Sequence, residues 1–318
     1  MSKPPVIAVL GATGAQGGGV VRAILSDKDR KFAVRAITRK TDSPAARELA
    51  KLGAEVVAGD LDNAATLPEA FAGAQGLYAV TNFWEHFSPE REMTQAGNIA
   101  SAAKSARIKH VIWSTLEDTR ERIPLDDPRM PTLIKRYKVP HFDAKGEGDA
   151  LFGSLPTTFL RTSFYWENLI HFGMGPKRGD DGKLNFVLPM GDRKLPGIAV
   201  ADIGGCAYGV FKRGREFIGR TIGIAGEHLT GAQMAAALSK AFGEPVRHVA
   251  MSFAAYAKLG FPGAEDLANM FQYNHDFAEE FCAQRPIAFA RELNPGLLTF
   301  ERWLAANATR IPRATTAT

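Results

Sequence analysis

The sequence predicts an α/β fold: a doubly wound parallel sheet, followed by a smaller, mostly helical C-terminal domain. Three observations predict it. The chain opens on an apolar run, Val6-Ile7-Ala8-Val9-Leu10, that breaks into Gly11-Ala12-Thr13-Gly14-Ala15-Gln16-Gly17-Gly18-Gly19 and then resumes at helical spacing. Further short apolar runs follow at β-α intervals, for which right-handed crossovers make a parallel sheet the economical topology. Beyond about residue 160 the rhythm changes to a Gly-, Pro- and charge-rich stretch and then to helical patterns. Together these describe a Rossmann-type domain with a second unit built onto it.

After the glycine turn, Val20, Val21, Ile24 and Leu25 recur on one helical face, and this first helix ends near Ser26-Asp27. Phe32 to Thr38 reads as the second strand and Pro44 to Leu52 as a helix closed by Gly53. Glu55 to Asp60 is the third strand. Thr66-Leu67-Pro68-Glu69 has the form of a capping box with proline in the first turn, so the next helix is expected to start there. Gly76 to Asn82 is the fourth strand, Ser88-Pro89 opens a long helix to about Ala106, and His110 to Thr115 is the fifth strand. Leu116 to Tyr137 is polar and proline-bearing, a loop with fragments of helix. Asp143 to Phe152 reads as helix and Thr157 to Arg161 as a sixth strand. Gly173 to Gly197 is an excursion out of the sheet, Ala199 to Phe211 a returning helix and Thr221 to Ala225 another strand. Residues 230–307 read as mostly helical. The domain reading is 1–160 for the nucleotide domain, with returning elements at about 196–226. Residues 161–195 and 227–308 form the smaller, cleft-forming domain, and 309–318 a flexible tail.

The glycine turn carries the chemistry. A helix N-terminus offers free N–H groups and a partial positive charge, which suits a pyrophosphate. The G-x-x-G-x-x-G spacing of Gly11, Gly14 and Gly17 lets the backbone approach such a group. Arg39-Lys40 stands at the carboxyl end of the second strand, where an acid would select NAD and a base accepts a 2′-phosphate. Charge-assisted hydrogen bonds are worth roughly 1.5–3 kcal/mol, so one or two here favour NADP by about ten- to a hundredfold or more. Asp60-Leu61 is placed to border the adenine.

For turnover, short-chain dehydrogenases use a Ser or Thr at the end of the fifth strand with a Tyr-x-x-x-Lys on the next helix, the phenol serving as acid. Ser114 and Thr115 hold the strand end, but the tetrad here is His141-Phe142-Asp143-Ala144-Lys145. Lys145 is expected to bind the nicotinamide ribose. His141 is the stand-in proton donor, although an ordinary imidazole is mostly neutral at pH 7; the plainer reading is a histidine hydrogen-bonded near the helix start. Tyr137 is the other phenol that would have to swing into the cleft. Phe83, Trp84, Phe87, Tyr165 and Trp166 are aromatics near strand ends that either line a flat cleft or pack between domains.

The rest of the chain narrows the class. The chain is 318 residues long, with net charge +5, 45% apolar and 23% charged residues. Basic and acidic residues interleave without a block of either sign, which points away from direct nucleic-acid binding. Cys206 and Cys282 have no CxxC spacing, so neither a disulfide framework nor a metal site is expected, and a reducing cytoplasm is the default compartment. The apolar run before Gly11 is too short for a signal peptide. No uncharged run approaches the roughly 18 residues of a membrane span. The histidines form no HExxH pair, and G-x-S-x-G and P-loop motifs are missing.

Gly11 to Gly19, Thr81-Asn82-Phe83-Trp84-Glu85, His141 to Glu147 and Phe164-Tyr165-Trp166-Glu167-Asn168 together resemble the NmrA-like family of atypical short-chain dehydrogenases. Gly260 to Phe271 and Leu293-Asn294-Pro295 resemble its HSCARG-type NADPH-sensor branch. The resemblance runs nearly end to end. It implies an NADP(H) cofactor contacted by Gly11, Thr13, Gly14, Gln16, Gly17, Arg39, Asp60, Leu61, Thr81, Asn82, Lys145, Phe164 and Tyr165, and Lys40, Phe83 and Asn168 are further cofactor-binding candidates. Thr94 stands where the sensor branch has a cofactor-contacting Lys. Sensor-branch proteins change association state with the cofactor and regulate partner proteins, while other relatives are quinone reductases. Two functions are therefore expected of the cleft. One is an NADPH-dependent reductase acting on a small-molecule quinone or activated alkene. The other is a non-catalytic NADPH/NADP redox sensor that regulates partner proteins or transcription, with a homodimer that responds to cofactor as the expected assembly.

Overall fold

A computed structural model describes residues 3–313. Seven parallel strands form the main sheet: Val6–Val9 (β1), Ala33–Thr38 (β2), Glu55–Ala58 (β3), Gly76–Ala79 (β4), His110–Thr115 (β5), Thr157–Arg161 (β6) and, after an excursion, Thr221–Gly223. The excursion contributes four short strands, Phe164–Tyr165 (β7), Lys177–Arg178 (β8), Leu184–Val187 (β9) and Lys194–Ile198 (β10). The returning seventh strand is therefore β11, and Glu227–Thr230 (β12) and Val246–Val249 (β13) follow it. The main sheet runs β11-β6-β5-β4-β1-β2-β3, so the order reverses between β1 and β4. In an open α/β sheet that reversal leaves a crevice at the carboxyl ends of the strands, where ligands bind. Two three-stranded sheets, β12-β10-β7 and β13-β9-β8, belong to the second unit.

Helices Ala15–Leu25 (α1), Pro44–Lys51 (α2), Leu67–Phe71 (α3), Pro89–Ser105 (α4) and Pro140–Phe152 (α5) connect the parallel strands. Asn168–His171 (α6) lies within the excursion, between β7 and β8, and Val200–Arg213 (α7) leads from β10 back toward β11. Gly231–Phe242 (α8), Phe253–Ala257 (α9), Ala264–Asp276 (α10), Ala278–Ala283 (α11), Ile287–Leu293 (α12) and Phe300–Asn307 (α13) complete the chain.

Side chains of β1 alternate between two cores, as a strand buried on both faces requires. Ile7 and Val9 pack with Val20, Val21 and Ile24 of α1 and with α7. Ala8 and Leu10 face Leu67, Ile99 and Ala103 on the other side. A third core, around Trp166, Phe186, Phe271 and Trp303, belongs to the C-terminal unit. Ala290 and Leu293 of α12 join the α1–α7 core, so the chain re-enters the nucleotide-type domain within the stretch 227–308. Among the described residues no helix is long and apolar enough to cross a membrane.

Several local expectations change. Thr66 does not cap α3. It lies in a 3-10 turn, Ala64–Thr66, and its hydroxyl bonds the Asp60 loop instead, accepting from Asp60 N–H at 2.9 Å and donating to Asn63 O at 2.8 Å. The helix expected from Asp143 begins at Pro140, which puts His141 in its first turn. The tail expected from residue 309 is not free at its start. Ala308–Arg310 form a 3-10 turn and Ile311 is buried in the C-terminal core. The remainder of that expected tail, 314–318, lies outside the described residues.

Candidate functional site

The crevice is built on the turn between β1 and α1. Gly11 adopts φ +59°, a left-handed conformation that suits glycine. Gly14 N–H donates to Gly11 O at 2.8 Å, and Ala12 N–H to Ile37 O at 3.3 Å, tying the turn to β2. A Cβ on Gly17 would stand 2.4 Å from both Gly11 O and Leu10 O, so any side chain there would fill the cradle's backbone floor. Gly14 caps α1 without a side-chain hydrogen bond, and the first turn carries no acid. The helix end is therefore open toward an anion. Thr13 lies at the rim, with its hydroxyl 3.4 Å from that of Thr38.

The other expected contacts distribute along the strand ends. Arg39 and Lys40 follow β2 and are exposed. Arg39 Nη1 bonds Glu85 Oε1 at 2.5 Å, and Lys40 N–H donates to Thr38 Oγ1 at 3.4 Å. Asp60 Oδ1 accepts from Asp62 N–H at 3.0 Å, and Leu61 O accepts from Asn98 Nδ2 at 2.8 Å. Asn82 is exposed at the start of the 3-10 turn Phe83–Glu85. Phe83 is buried, its ring 5.6 Å from Trp84 and 6.1 Å from His141. Thr94 bonds its own helix, Oγ1 to Glu90 O at 2.9 Å.

Gln16 and Tyr165 meet each other. The Gln16 amide donates to the Tyr165 hydroxyl and accepts from the Tyr78 hydroxyl, and burial pushes both phenols above their ordinary range. The Gln16 side chain thus links the glycine turn to the second unit through β7, leaving its backbone N–H at the open end of α1. Phe164, one residue earlier, faces the C-terminal core, 6.4 Å from Phe271. Asn168 opens α6, and its carbonyl accepts from Phe172 N–H at 3.1 Å.

Lys145 lies on a polar floor below the crevice. Its ammonium donates to Thr81 O at 3.2 Å and Thr81 Oγ1 at 2.7 Å, and pairs with Glu92 Oε1 at 2.7 Å. The Thr81 hydroxyl in turn donates a hydrogen bond to Glu92 Oε1. Burial opposes a charge on Glu92, yet the Lys145 ammonium, hydrogen bonds from Lys145 and Thr81, and the His86 ring with Nε2 3.5 Å from Oε2 outweigh it and hold the carboxyl well below its ordinary range, at about 2. Glu92 escaped the sequence reading although a signal exists. It shares the buried stripe of α4 with Ala96, Ile99 and Ala103, and an acid on an apolar stripe demands a partner.

His141 is buried, with Nδ1 donating to Asp266 Oδ1 at 2.6 Å and its backbone N–H to Asp266 Oδ2 at 3.2 Å. Its ring lies 4.6 Å from that of Trp84. Beside this pair a cleft of about 360 Å³ is lined by Phe83, Phe87, Ile134, Phe261 and Asp266 among others. Tyr137 does not swing into it: the residue is buried and its hydroxyl accepts from Arg136 Nη2 at 2.8 Å.

The model of the NmrA-like family matches residues 3–304. The NAD(P)H azoreductase of Xenophilus azovorans is 31% identical over 268 residues, covering 83% of this chain and 84% of that protein. The NmrA-like family domain-containing oxidoreductase FrzB of a Cladobotryum species is 29% identical over 305 residues, covering 88% and 87%. Among solved structures, the negative transcriptional regulator NmrA in complex with NADP superimposes with a TM-score of 0.73 at 23% identity, covering 96% of this chain and 95% of that one.

Proposed function

The chain belongs to the NmrA-like family, and on that premise we propose that it holds NADP(H) in the glycine-turn crevice and passes hydride to a quinone or an activated alkene. The observation that carries this reading is the open end of α1, uncapped by any side chain, above a floor that a Cβ on Gly17 would fill. Gly11, Thr13, Gly14 and Gly17 would take the pyrophosphate, and Arg39 with Lys40 the 2′-phosphate. Asp60 and Leu61 would border the adenine, and Thr81, Asn82 and Lys145 the nicotinamide ribose. NAD(P)H in the name of the azoreductase relative and NADP in the NmrA complex support that choice of cofactor.

Bound NADPH supplies the hydride. Phe83 and Trp84 would exclude water beside it, and Lys145 stands as a cation in the polar floor. A reduced quinone oxyanion takes its proton from water, so a site with His141 in place of a tyrosine tolerates this substrate class. The free cysteines Cys206 and Cys282 agree with a cytoplasmic setting. The test is a fluorescence titration with NADPH, followed by absorbance of the reduced cofactor during incubation with quinones and enones. Binding with consumption is expected; binding without consumption across the panel would remove the reductase.

One observation favours the redox sensor as second reading. His141 is buried and pinned to Asp266 where a working site would present a free acid. Light scattering with NADPH and with NADP⁺ should then show a change of mass or of partner binding, and identical mass in both would end it.

A further inference from the structure

Arg39 and Glu85 meet across the mouth of the crevice. Arg39 follows β2, and Glu85 closes the 3-10 turn after β4, while in the sheet those two strands flank β1. Their ion pair, 2.5 Å between Nη1 and Oε1, thus passes over the glycine turn from one bank to the other. Both side chains are substantially exposed, at 55% and 40%, so neither is locked by packing. A carboxylate and a phosphate compete for the same N–H edge of a guanidinium.

We propose that Glu85 is a built-in competitor for the arginine that would hold a 2′-phosphate, and so sets how strongly the protein separates phosphorylated from unphosphorylated dinucleotide. The proposal rests on reading the glycine turn as an NADP(H) site. An exposed ion pair is weak, so the competition costs at most about fivefold in affinity. The phosphate carries more negative charge than the carboxylate and wins the arginine when present. Arg91 lies in the field of Glu85 as well, but its guanidinium is engaged by Asp62, Nε to Oδ1 at 3.0 Å and Nη2 to Oδ2 at 2.6 Å. An unphosphorylated dinucleotide makes no demand on Arg39 and leaves the bridge intact.

Calorimetric titration with NADPH, NADH and 2′,5′-ADP tests this on the wild type, Glu85→Gln, Arg39→Gln and the double variant. Glu85→Gln should tighten NADPH and 2′,5′-ADP about twofold to fivefold and leave NADH unchanged. In the Arg39→Gln background the same substitution should add nothing, because the contested group is gone. Unchanged NADPH affinity in Glu85→Gln, or equal tightening of NADH, would overturn the proposal while leaving the cofactor reading intact. A gain that persists without Arg39 would overturn it as well, since plain repulsion between Glu85 and the phosphate would then suffice. A wild type that takes up neither dinucleotide would remove the cofactor reading and the proposal together.

Discussion

Asp266 holds His141 with both of its oxygens, Oδ1 on the ring Nδ1–H at 2.6 Å and Oδ2 on the backbone N–H at 3.2 Å. The two residues lie in the first turns of α5 and α10, so the clamp joins the nucleotide-type domain to the C-terminal unit. It also fixes the proton on Nδ1 and turns the other ring nitrogen away from the carboxylate.

This clamp should be worth more than an ordinary surface contact. Removing one partner of a buried, charged hydrogen bond costs about 1–3 kcal/mol, so Asp266→Asn is expected to lower unfolding free energy by that much in urea. A cycle with His141→Phe and Asp266→Leu should show a coupling of at least about 0.5 kcal/mol. Strict additivity would mean that the two residues merely share a neighbourhood.

Lys145 and Glu92 form a second buried pair, and here the dependence on pH has a definite sign. The Glu92 carboxyl is held at about 2 against 4.5 when unfolded, despite burial, chiefly by Lys145. Its contribution is fully present above pH 4.5 and is lost as pH falls below that value. Glu92→Gln strands the ammonium in the floor and should cost about 3–5 kcal/mol at pH 7. Urea unfolding at pH 7 and at pH 3 checks it: the gap between wild type and variant should narrow in acid.

Asp149 behaves in the opposite direction. Burial pushes it up to about 6 from 3.8, against the hydrogen bonds it receives from Thr115 and Trp113. The folded protein therefore binds this proton more tightly than the unfolded chain, and stability falls as pH rises from 3.8 through 6, by about 3 kcal/mol. Asp149→Asn keeps an acceptor for Trp113 and carries no charge. It should flatten that part of the stability curve and leave the variant the more stable protein at pH 8. An unchanged slope between pH 4 and 6 would assign the titration elsewhere.

These pairs explain what could be read from the chain and what could not. The sheet and the glycine turn were legible because their signals are local: apolar runs, a glycine spacing, Ser88-Pro89 at the start of α4, whose serine does accept from Arg91 N–H. Thr66 misled for the same reason, since its pattern fits a cap while its hydroxyl is taken by the Asp60 loop. His141 was visible as a departure from the usual tetrad, but its partner is 125 residues away in sequence. Nothing local pairs them. The short strand β13 was submerged in a stretch read as helical because its four residues leave too brief a period to detect.

The glycine turn offers the sharpest separation of structure from binding. Gly17 and Gly204 are both sites where a Cβ strikes backbone. At Gly17 it would lie 2.4 Å from Gly11 O and Leu10 O; at Gly204 it would lie 2.2 Å from the carbonyl carbon of Gly19, where α7 crosses α1. Each alanine substitution should therefore destabilise the fold by at least about 1–3 kcal/mol, the usual range for overpacking. Their effects on the crevice should differ. Gly17→Ala pushes the turn itself out of position, so NADPH titration of the folded protein should show affinity reduced by tenfold or more, about 1.4 kcal/mol. Gly204→Ala parts two helices behind the cradle, and the protein that remains folded should bind within about twofold of the wild type. Gly17→Ala that binds NADPH normally would mean the backbone beneath this turn does not shape the cofactor site.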